Sequence, residues 1–324
     1  MFSGGLDSTL AVKVLLEQGI AVEAAYFTTV LSKRRAPGSE SAAKRMADKL
    51  GVKLHEIDIS EEQLAIVKSP RFGHGSSMNP CLDCHILMAR KAKVLMEQTG
   101  AAFVATGEVL GQRPMSQHKQ ALKLVEKESG LPGLLLRPLS AKLLEPTIPE
   151  HQGLVDRDRL LGIRGRSRKP QMALAAQYGI TDYPTPAGGC ILTEKSFGNK
   201  LRDLLEHNPD AGLDEVELLK CGRHMRLDDG VKVIVARDEE ECHWLESHRG
   251  RMATFEATDF AGPLVLATPG IPLEKAQIVA AITASYGKGK NEDTVRVTWK
   301  DGETETIVAA KPINMDEIQR GLIT

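Results

Sequence analysis

Two adjacent glycines flanked by serines stand almost at the start of the chain, in Ser3-Gly4-Gly5-Leu6-Asp7-Ser8, and run directly into Thr9-Leu10-Ala11-Val12-Lys13-Val14-Leu15-Leu16. A glycine pair lets the backbone aim successive N–H groups at one point, and the helix that follows adds unpaired amides and the positive end of its dipole. Ser3 and Ser8 add hydroxyl donors. Such a loop suits an anion, and a phosphate fits it best. No lysine follows the glycines, which excludes a Walker A loop. A phosphate loop of this kind should follow a buried parallel strand, and only Met1 and Phe2 precede it here. The expectation is that the reading frame begins late or that upstream residues are missing, leaving backbone groups of the neighbouring strands unpaired.

The rest of the first 140 residues alternates short apolar runs with helical stretches, the pattern of a doubly wound parallel sheet. Strands are predicted at 21–27, 53–57, 102–106 and 134–136, and helices at 8–18, 40–51, 84–99 and 116–128. Ligands of such sheets lie beyond the carboxyl ends of the strands, where both the glycine loop and Thr106-Gly107-Glu108 fall. From Pro146 to Pro186 the chain reads as irregular and locally basic. Residues 157–169 carry six basic side chains against Asp158, a net charge of +5. A different rhythm starts near Ser196, with helices at 196–206, 213–220, 273–285 and from 315, and strands at 225–227, 232–235, 264–267, 294–299 and 304–309. Asp228-Asp229-Gly230 and Asp301-Gly302 are hairpin signals between strands. The expected fold is α/β, a doubly wound parallel sheet with a smaller α+β C-terminal region. The expected domains are 1–190 and 191–324, the second with room for two subdomains.

At 324 residues and 42% hydrophobic content the chain can bury more than one core. Its net charge of −1 means that any nucleic-acid contact must come from local patches. The sequence has neither an apolar run of membrane-spanning length nor a signal-peptide pattern, so a cytoplasmic protein without membrane contact is expected. The five cysteines, Cys81, Cys84, Cys190, Cys221 and Cys242, are unevenly placed, which argues against a secreted disulfide framework.

Asn79-Pro80-Cys81-Leu82-Asp83-Cys84-His85 puts two thiols at the start of a predicted helix, where the dipole favours thiolate. A third thiol, Cys190, follows Pro186-Ala187-Gly188-Gly189. Three cysteines suit an iron–sulfur cluster with one iron free of protein ligands. Zinc would need a fourth ligand, for which His85 or His224 is available, and buried structural cysteines are the remaining alternative.

The Ser3–Ser8 loop resembles the S-G-G-x-D-S signature of the PP-loop ATP pyrophosphatases, which cleave ATP to AMP and pyrophosphate and adenylate a carbonyl-type oxygen of a second substrate. Together with Asn79–Cys84, Ala105-Thr106-Gly107-Glu108-Val109-Leu110-Gly111-Gln112 and the Gly-Gly-Cys turn at Cys190, it resembles the tRNA-thiolating members of that group over roughly residues 1–195. The Ala105–Gln112 run is similar to tRNA 4-thiouridine synthase. The N-P-C-x-x-C segment and the later cysteine are similar to tRNA 2-thiouridylases and cluster-dependent thiolases. The resemblance implies an adenine nucleotide alpha hydrolase-like fold, with Cys84 and Cys190 as the catalytic pair and Cys81 completing a cluster set. The N-terminal RNA-binding extension and rhodanese tail of the synthase are not expected in this chain, which leaves the route of sulfur delivery open. Cys221-Gly222-Arg223-His224-Met225-Arg226-Leu227, followed by Val235–Glu241, resembles the RNA-binding domain of the NFACT family. Arg223, His224, Arg226 and Arg237 then form a candidate phosphate-binding face, with solvated hairpin charges as the alternative. Aromatic residues are 4% of the chain, so backbone and shape contacts to RNA are expected over base stacking.

These observations converge on an ATP-dependent tRNA sulfurtransferase. ATP would bind at Ser3, Gly4, Gly5, Asp7 and Ser8, with Asp7 organising Mg2+, and Tyr26, Thr28, Thr106 and Gly107 bordering the adenosine. Sulfur would come as sulfide or as persulfide from a cysteine desulfurase system. It would be carried on a 4Fe–4S cluster held by Cys81, Cys84 and Cys190, or alternatively as a cysteine persulfide without a cluster. Arg164, Arg166, Arg168, Lys169, Arg223 and Arg226 are the candidate RNA contacts. The rival expectations are a PP-loop enzyme acting on a small molecule and a non-catalytic RNA-binding protein.

Overall fold

The glycine loop does feed a helix, α1 (Leu6–Leu16), whose Leu6, Leu10, Ala11, Val14 and Leu15 are buried. In the computed structural model, which describes residues 1–34, 38–183, 190–227 and 230–324, the chain divides into two compact units, Met1–Cys190 and Ile191–Thr324.

In the first unit α1 is followed by β1 (Glu23–Thr28), α2 (Ala42–Leu50), β2 (Lys53–Asp58), α3 (Ser60–Lys68), α4 (Cys81–Thr99), β3 (Val104–Ala105), α5 (Lys119–Ser129), β4 (Leu135–Leu136), α6 (Ile148–His151) and α7 (Lys169–Gln177). Local chemistry sets the helix ends. The Ser41 hydroxyl accepts from the Lys44 amide to open α2, and Gly51, Gly100 and Gly130 close α2, α4 and α5 in the left-handed conformation. Helices α3 and α7 lie where no helix was expected, and α4 begins three residues earlier than expected, placing both Cys81 and Cys84 in its first turn.

The strands pair in parallel, β1 with β2 and β3 with β4. Between the two pairs run Met1 and Phe2: the Phe2 amide donates to Ala25 O at 2.7 Å and the Met1 amino group to Ala105 O at 2.7 Å. Beyond them a cavity of about 790 Å3 continues the same line, walled by Val22 and Ala24 on one side and Phe103 and Val104 on the other. Adjacent residues of a strand face opposite sides, and here the two sides carry different helices. Val104 and Leu135 pack with residues of α4 and α5, whereas Ala105 and Leu136 pack with α1 and α7. The unit is mixed α/β with helices on both faces of parallel strands.

The second unit contains α8 (Lys195–His207), α9 (Leu213–Leu218), β5 (Arg223–Arg226), β6 (Lys232–Val235), α10 (Glu239–His248), β7 (Ala253–Ala257), β8 (Val265–Ala267), α11 (Leu273–Tyr286), β9 (Val295–Asp301), β10 (Thr304–Ala310) and α12 (Met315–Arg320). Its six strands form one antiparallel sheet ordered β10-β9-β7-β8-β6-β5. Val233, Val235, Phe255, Val265, Val295 and Val297 pack on the apolar face of α11, while Ile234, Ala236 and Leu266 face Leu218 and Leu245 on the other side. β7 and α10 were not expected. Asp238 caps α10 by accepting from the Glu241 amide. Turn residues Asp228 and Asp229 lie outside the described residues, and Asp301-Gly302 joins β9 to β10 as expected. Among the described residues no helix is long and apolar enough to cross a membrane.

Candidate functional site

The Ser3–Ser8 loop is closed on itself. Ser3 Oγ and Ser8 Oγ share a hydrogen bond of 3.1 Å, the Gly5 amide donates to Ser3 Oγ at 3.3 Å, and Ser8 Oγ donates to Gly5 O at 3.0 Å. Among the described residues no side chain caps α1, whose N-cap residue is Gly5. Gly4 has φ of +70°, and a Cβ there would meet the Ala42 carbonyl at 2.4 Å, so a side chain is excluded by both conformation and space.

The loop floors a cavity of about 400 Å3 whose walls include Tyr26, Phe27, His85, Thr106, Gly107, Glu108 and Arg168. Thr28 is absent from that wall; its carbonyl accepts from the Ile59 amide at 3.0 Å. Asp7 projects from the first turn of α1. Its Oδ2 accepts from Gln112 Nε2 at 2.8 Å and from the Arg168 guanidinium at 3.3 Å, while Oδ1 is buried with no partner among the described residues. Gln171, fully buried on α7, donates to Gln112 Oε1 at 2.9 Å and so fixes the residue that holds Asp7.

A buried charge network backs the opposite wall. Glu108 Oε1 accepts from His85 Nδ1 at 2.9 Å, and Oε2 accepts from Arg137 Nε at 3.0 Å and Thr106 Oγ1 at 3.1 Å. Arg137, 2% exposed, also pairs with Glu126. Burial alone would raise the Glu108 carboxyl, but Arg137 and His85 outweigh it and hold it at about 2. His85, considered from sequence only as a spare zinc ligand, is thus oriented by Glu108 at the pocket wall.

Cys84 is the residue before His85. Its sulfur accepts from Gln63 Nε2 at 3.4 Å, and burial pushes its thiol up to about 12 against the opposing effect of that amide. Burial thus opposes the thiolate that the helix terminus was expected to favour. Cys81 accepts from Asn79 Nδ2 at 3.2 Å, and Cys190 is exposed. Charge on Cys190 or Cys81 raises Cys84 further, so the three sulfurs share one electrostatic neighbourhood. Among the described residues, however, no group of three or more His, Cys, Asp or Glu is placed to hold a metal ion. The three-cysteine cluster is therefore not shown by the described residues. Pro186–Gly189 lie outside the described residues.

The expected RNA contacts separate into distinct environments. Arg164, Arg166 and Lys169 are exposed, whereas Arg168 turns into the pocket onto Asp7. In the second unit the Arg223 guanidinium lies over the Tyr286 ring at 5.1 Å. Arg226 is not a free cation: it makes a bidentate pair with Asp203 at 2.6 and 2.8 Å, which Lys232 joins at 2.6 Å, and it donates to Gly230 O. His224 is 1% exposed and donates to Cys221 O at 2.8 Å, with its pKa driven well below 6.5 by burial and by Lys200 and Lys232. Neither Arg226 nor His224 presents a charge to a phosphate in this structure. Arg237 remains half exposed while donating to Gly222 O.

Residues 1–142 match the family model of the thiamine biosynthesis protein (ThiI), and residues 222–321 match that of the NFACT protein RNA binding domain. The first unit is ThiI-like and the second NFACT-like. A tRNA-specific 2-thiouridylase MnmA of Sulfurimonas denitrificans is 35% identical over 112 residues, 33% of each chain. Another, from Pseudoalteromonas atlantica, is 26% identical over 220 residues, covering 64% of this chain and 52% of the relative. A protein of Methanosarcina mazei described as a probable tRNA sulfurtransferase is 30% identical over 122 residues, 35% of this chain and 28% of its own. The chain thus spans about a third to about half the length of the first curated relatives it matches.

Within the ThiI-like unit, sequence reasoning missed Gln112, Gln171 and the buried Arg137. Gln112 closes the Ala105–Gln112 run that carried the resemblance, so its signal was present. Arg137 and Gln171 gave none, because they reach the site only through the packing of β4 and α7.

Proposed function

We propose that this chain is an ATP-dependent tRNA sulfurtransferase that adenylates a uridine carbonyl oxygen and replaces it with sulfur, releasing AMP and pyrophosphate. The observation that carries this reading is the single pocket bounded by the Ser3–Ser8 loop, Asp7 and His85, with Cys84 adjoining, in a ThiI-like unit whose chain also carries an NFACT-like unit. The loop amides and hydroxyls would receive the phosphates of ATP, and Tyr26, Phe27, Thr106 and Gly107 would border the adenosine.

A magnesium ion fits this site. Magnesium is commonly held by one or two carboxylates plus phosphate oxygens, and Asp7 offers a buried carboxylate oxygen with no partner among the described residues. When bound, the ion would neutralise charge on the phosphate chain. The uridine carbonyl oxygen attacks the α-phosphorus as the bond to pyrophosphate breaks, and the base is activated as its adenylate. A persulfide donor such as a cysteine desulfurase passes its outer sulfur to one thiol of the Cys84 and Cys190 pair, and the terminal sulfur of the resulting persulfide then adds to the activated carbon as AMP departs. The second thiol of the Cys84 and Cys190 pair attacks the inner persulfide sulfur, leaving the thiocarbonyl on the base and a disulfide on the protein. An external thiol reductant restores the pair. Exposed Arg164, Arg166 and Lys169, with Arg223 and Arg237 of the NFACT-like unit, are the proposed phosphate contacts to tRNA.

The test is product analysis of α-labelled ATP with tRNA and magnesium. AMP is expected, and Asp7→Ala should abolish it. Formation of ADP by the native protein would contradict the reading.

A further inference from the structure

Arg168 sits in a run of basic residues whose neighbours Arg164, Arg166 and Lys169 face solvent, yet it alone of these pairs with the carboxylate of the glycine loop, 161 residues away in sequence. Only 22% of its side chain is exposed, against 16% for Asp7. The contact to Asp7 Oδ2 is long, at 3.3 Å, and the same oxygen already accepts a shorter bond from Gln112. Two buried atoms of the pair have no partner among the described residues: Arg168 Nε, a charged donor, and Asp7 Oδ1, an anionic acceptor. Buried polar groups of native proteins are paired with few exceptions, and both residues border the cavity above the loop. A group with several anionic oxygens entering that cavity would satisfy the guanidinium, whose planar fork matches phosphate and carboxylate geometry better than any other side chain.

We propose that Arg168 is a phosphate-binding residue of the nucleotide pocket, stored against Asp7 until a phosphate chain arrives, and no part of an RNA-binding face. The proposal rests on the PP-loop reading above. It assigns to Arg168 the recognition of linked phosphates and gives it no role toward the nucleoside.

The test uses the full chain and three probes, ATP, inorganic pyrophosphate and adenosine, measured by calorimetry with EDTA present so that no metal contributes. Arg168→Gln should weaken ATP and pyrophosphate by roughly 10- to 100-fold, the usual effect of losing a charge-assisted hydrogen bond, and leave adenosine within about twofold. Affinity for tRNA should match that of the native protein. Unchanged ATP and pyrophosphate binding would overturn the proposal, as would a loss confined to tRNA. If the glutamine variant does not fold, Arg168→Lys carries the test, since it keeps the charge against Asp7 without the fork. A loss confined to ATP and pyrophosphate supports the proposal, and no loss overturns it. Failure of the native protein to bind ATP or pyrophosphate, both with EDTA and with magnesium restored, would instead refute the PP-loop reading itself.

Discussion

Gly107 lies so close to Ser8 that a Cβ on it would stand 2.5 Å from the Ser8 amide nitrogen. The contact joins the end of β3 to the first turn of α1, so the loop is braced from behind by a backbone with no side chain. Gly107→Ala should push the loop out of shape at a cost of about 1–3 kcal/mol, typical of overpacking. We expect ATP affinity to fall at least about tenfold while the far-ultraviolet dichroism spectrum is kept. Native affinity in this variant would show that loop and strand end move independently.

Arg137 and Glu108 make a second prediction. Removing the guanidinium in Arg137→Leu leaves Glu108 buried with only His85 and Thr106, and loss of one partner from a buried pair costs about 3–5 kcal/mol. Glu108 titrates near 4.5 when unfolded and at about 2 in the fold. Its contribution is therefore complete above about 4.5 and is lost as pH falls through about 2. Thermal melts of the native protein should decline across that window, and Glu108→Gln should flatten the decline. An equally steep decline in the variant would place the acid sensitivity elsewhere.

His224 predicts a pH dependence of the NFACT-like unit. Its folded pKa lies well below the ordinary 6.5, so the unfolded chain takes up a proton that the folded unit refuses. Stability is lost as pH drops below 6.5, at up to about 1.4 kcal/mol per pH unit. His224→Gln should remove this slope between pH 6.5 and 5, as read from urea unfolding followed by the fluorescence of Trp244 and Trp299. Persistence of the slope would exclude His224 as its source.

The cysteines separate a persulfide relay from a cluster. With the relay on Cys84 and Cys190, Cys84→Ser and Cys190→Ser should each abolish sulfur transfer and leave AMP formation intact, whereas Cys81→Ser keeps both. Iron and sulfide analysis after anaerobic reconstitution completes the test. Stoichiometric iron, together with loss of transfer in Cys81→Ser, would restore the cluster.

The loop was legible in the sequence because all its determinants are local: two glycines, two hydroxyls, one carboxylate and a helix start within six residues. The hairpin at Asp301-Gly302 was legible for the same reason. What escaped depends on contacts between distant segments. Arg168 looked like one more member of a basic run, and only the packing of α7 beside α1 turns it onto Asp7. Arg226 looked like a phosphate contact, but its partner Asp203 lies on α8, with nothing in the local pattern to announce the pair. Cys84 was expected as a thiolate from its helix terminus, whereas its burial, only partly offset by the bond from Gln63 on the unexpected α3, raises its thiol.

The central claim is sulfur transfer to tRNA, and the most direct measurement is mass spectrometry of nucleosides from tRNA lacking thiolation, incubated with the full chain, ATP, magnesium, a cysteine desulfurase with free cysteine as persulfide donor, and a thiol reductant. The account predicts a thiouridine that appears with the native protein, requires ATP, and is absent with Asp7→Ala. AMP formation without any thionucleoside, under conditions where both cysteines are reduced, would contradict it.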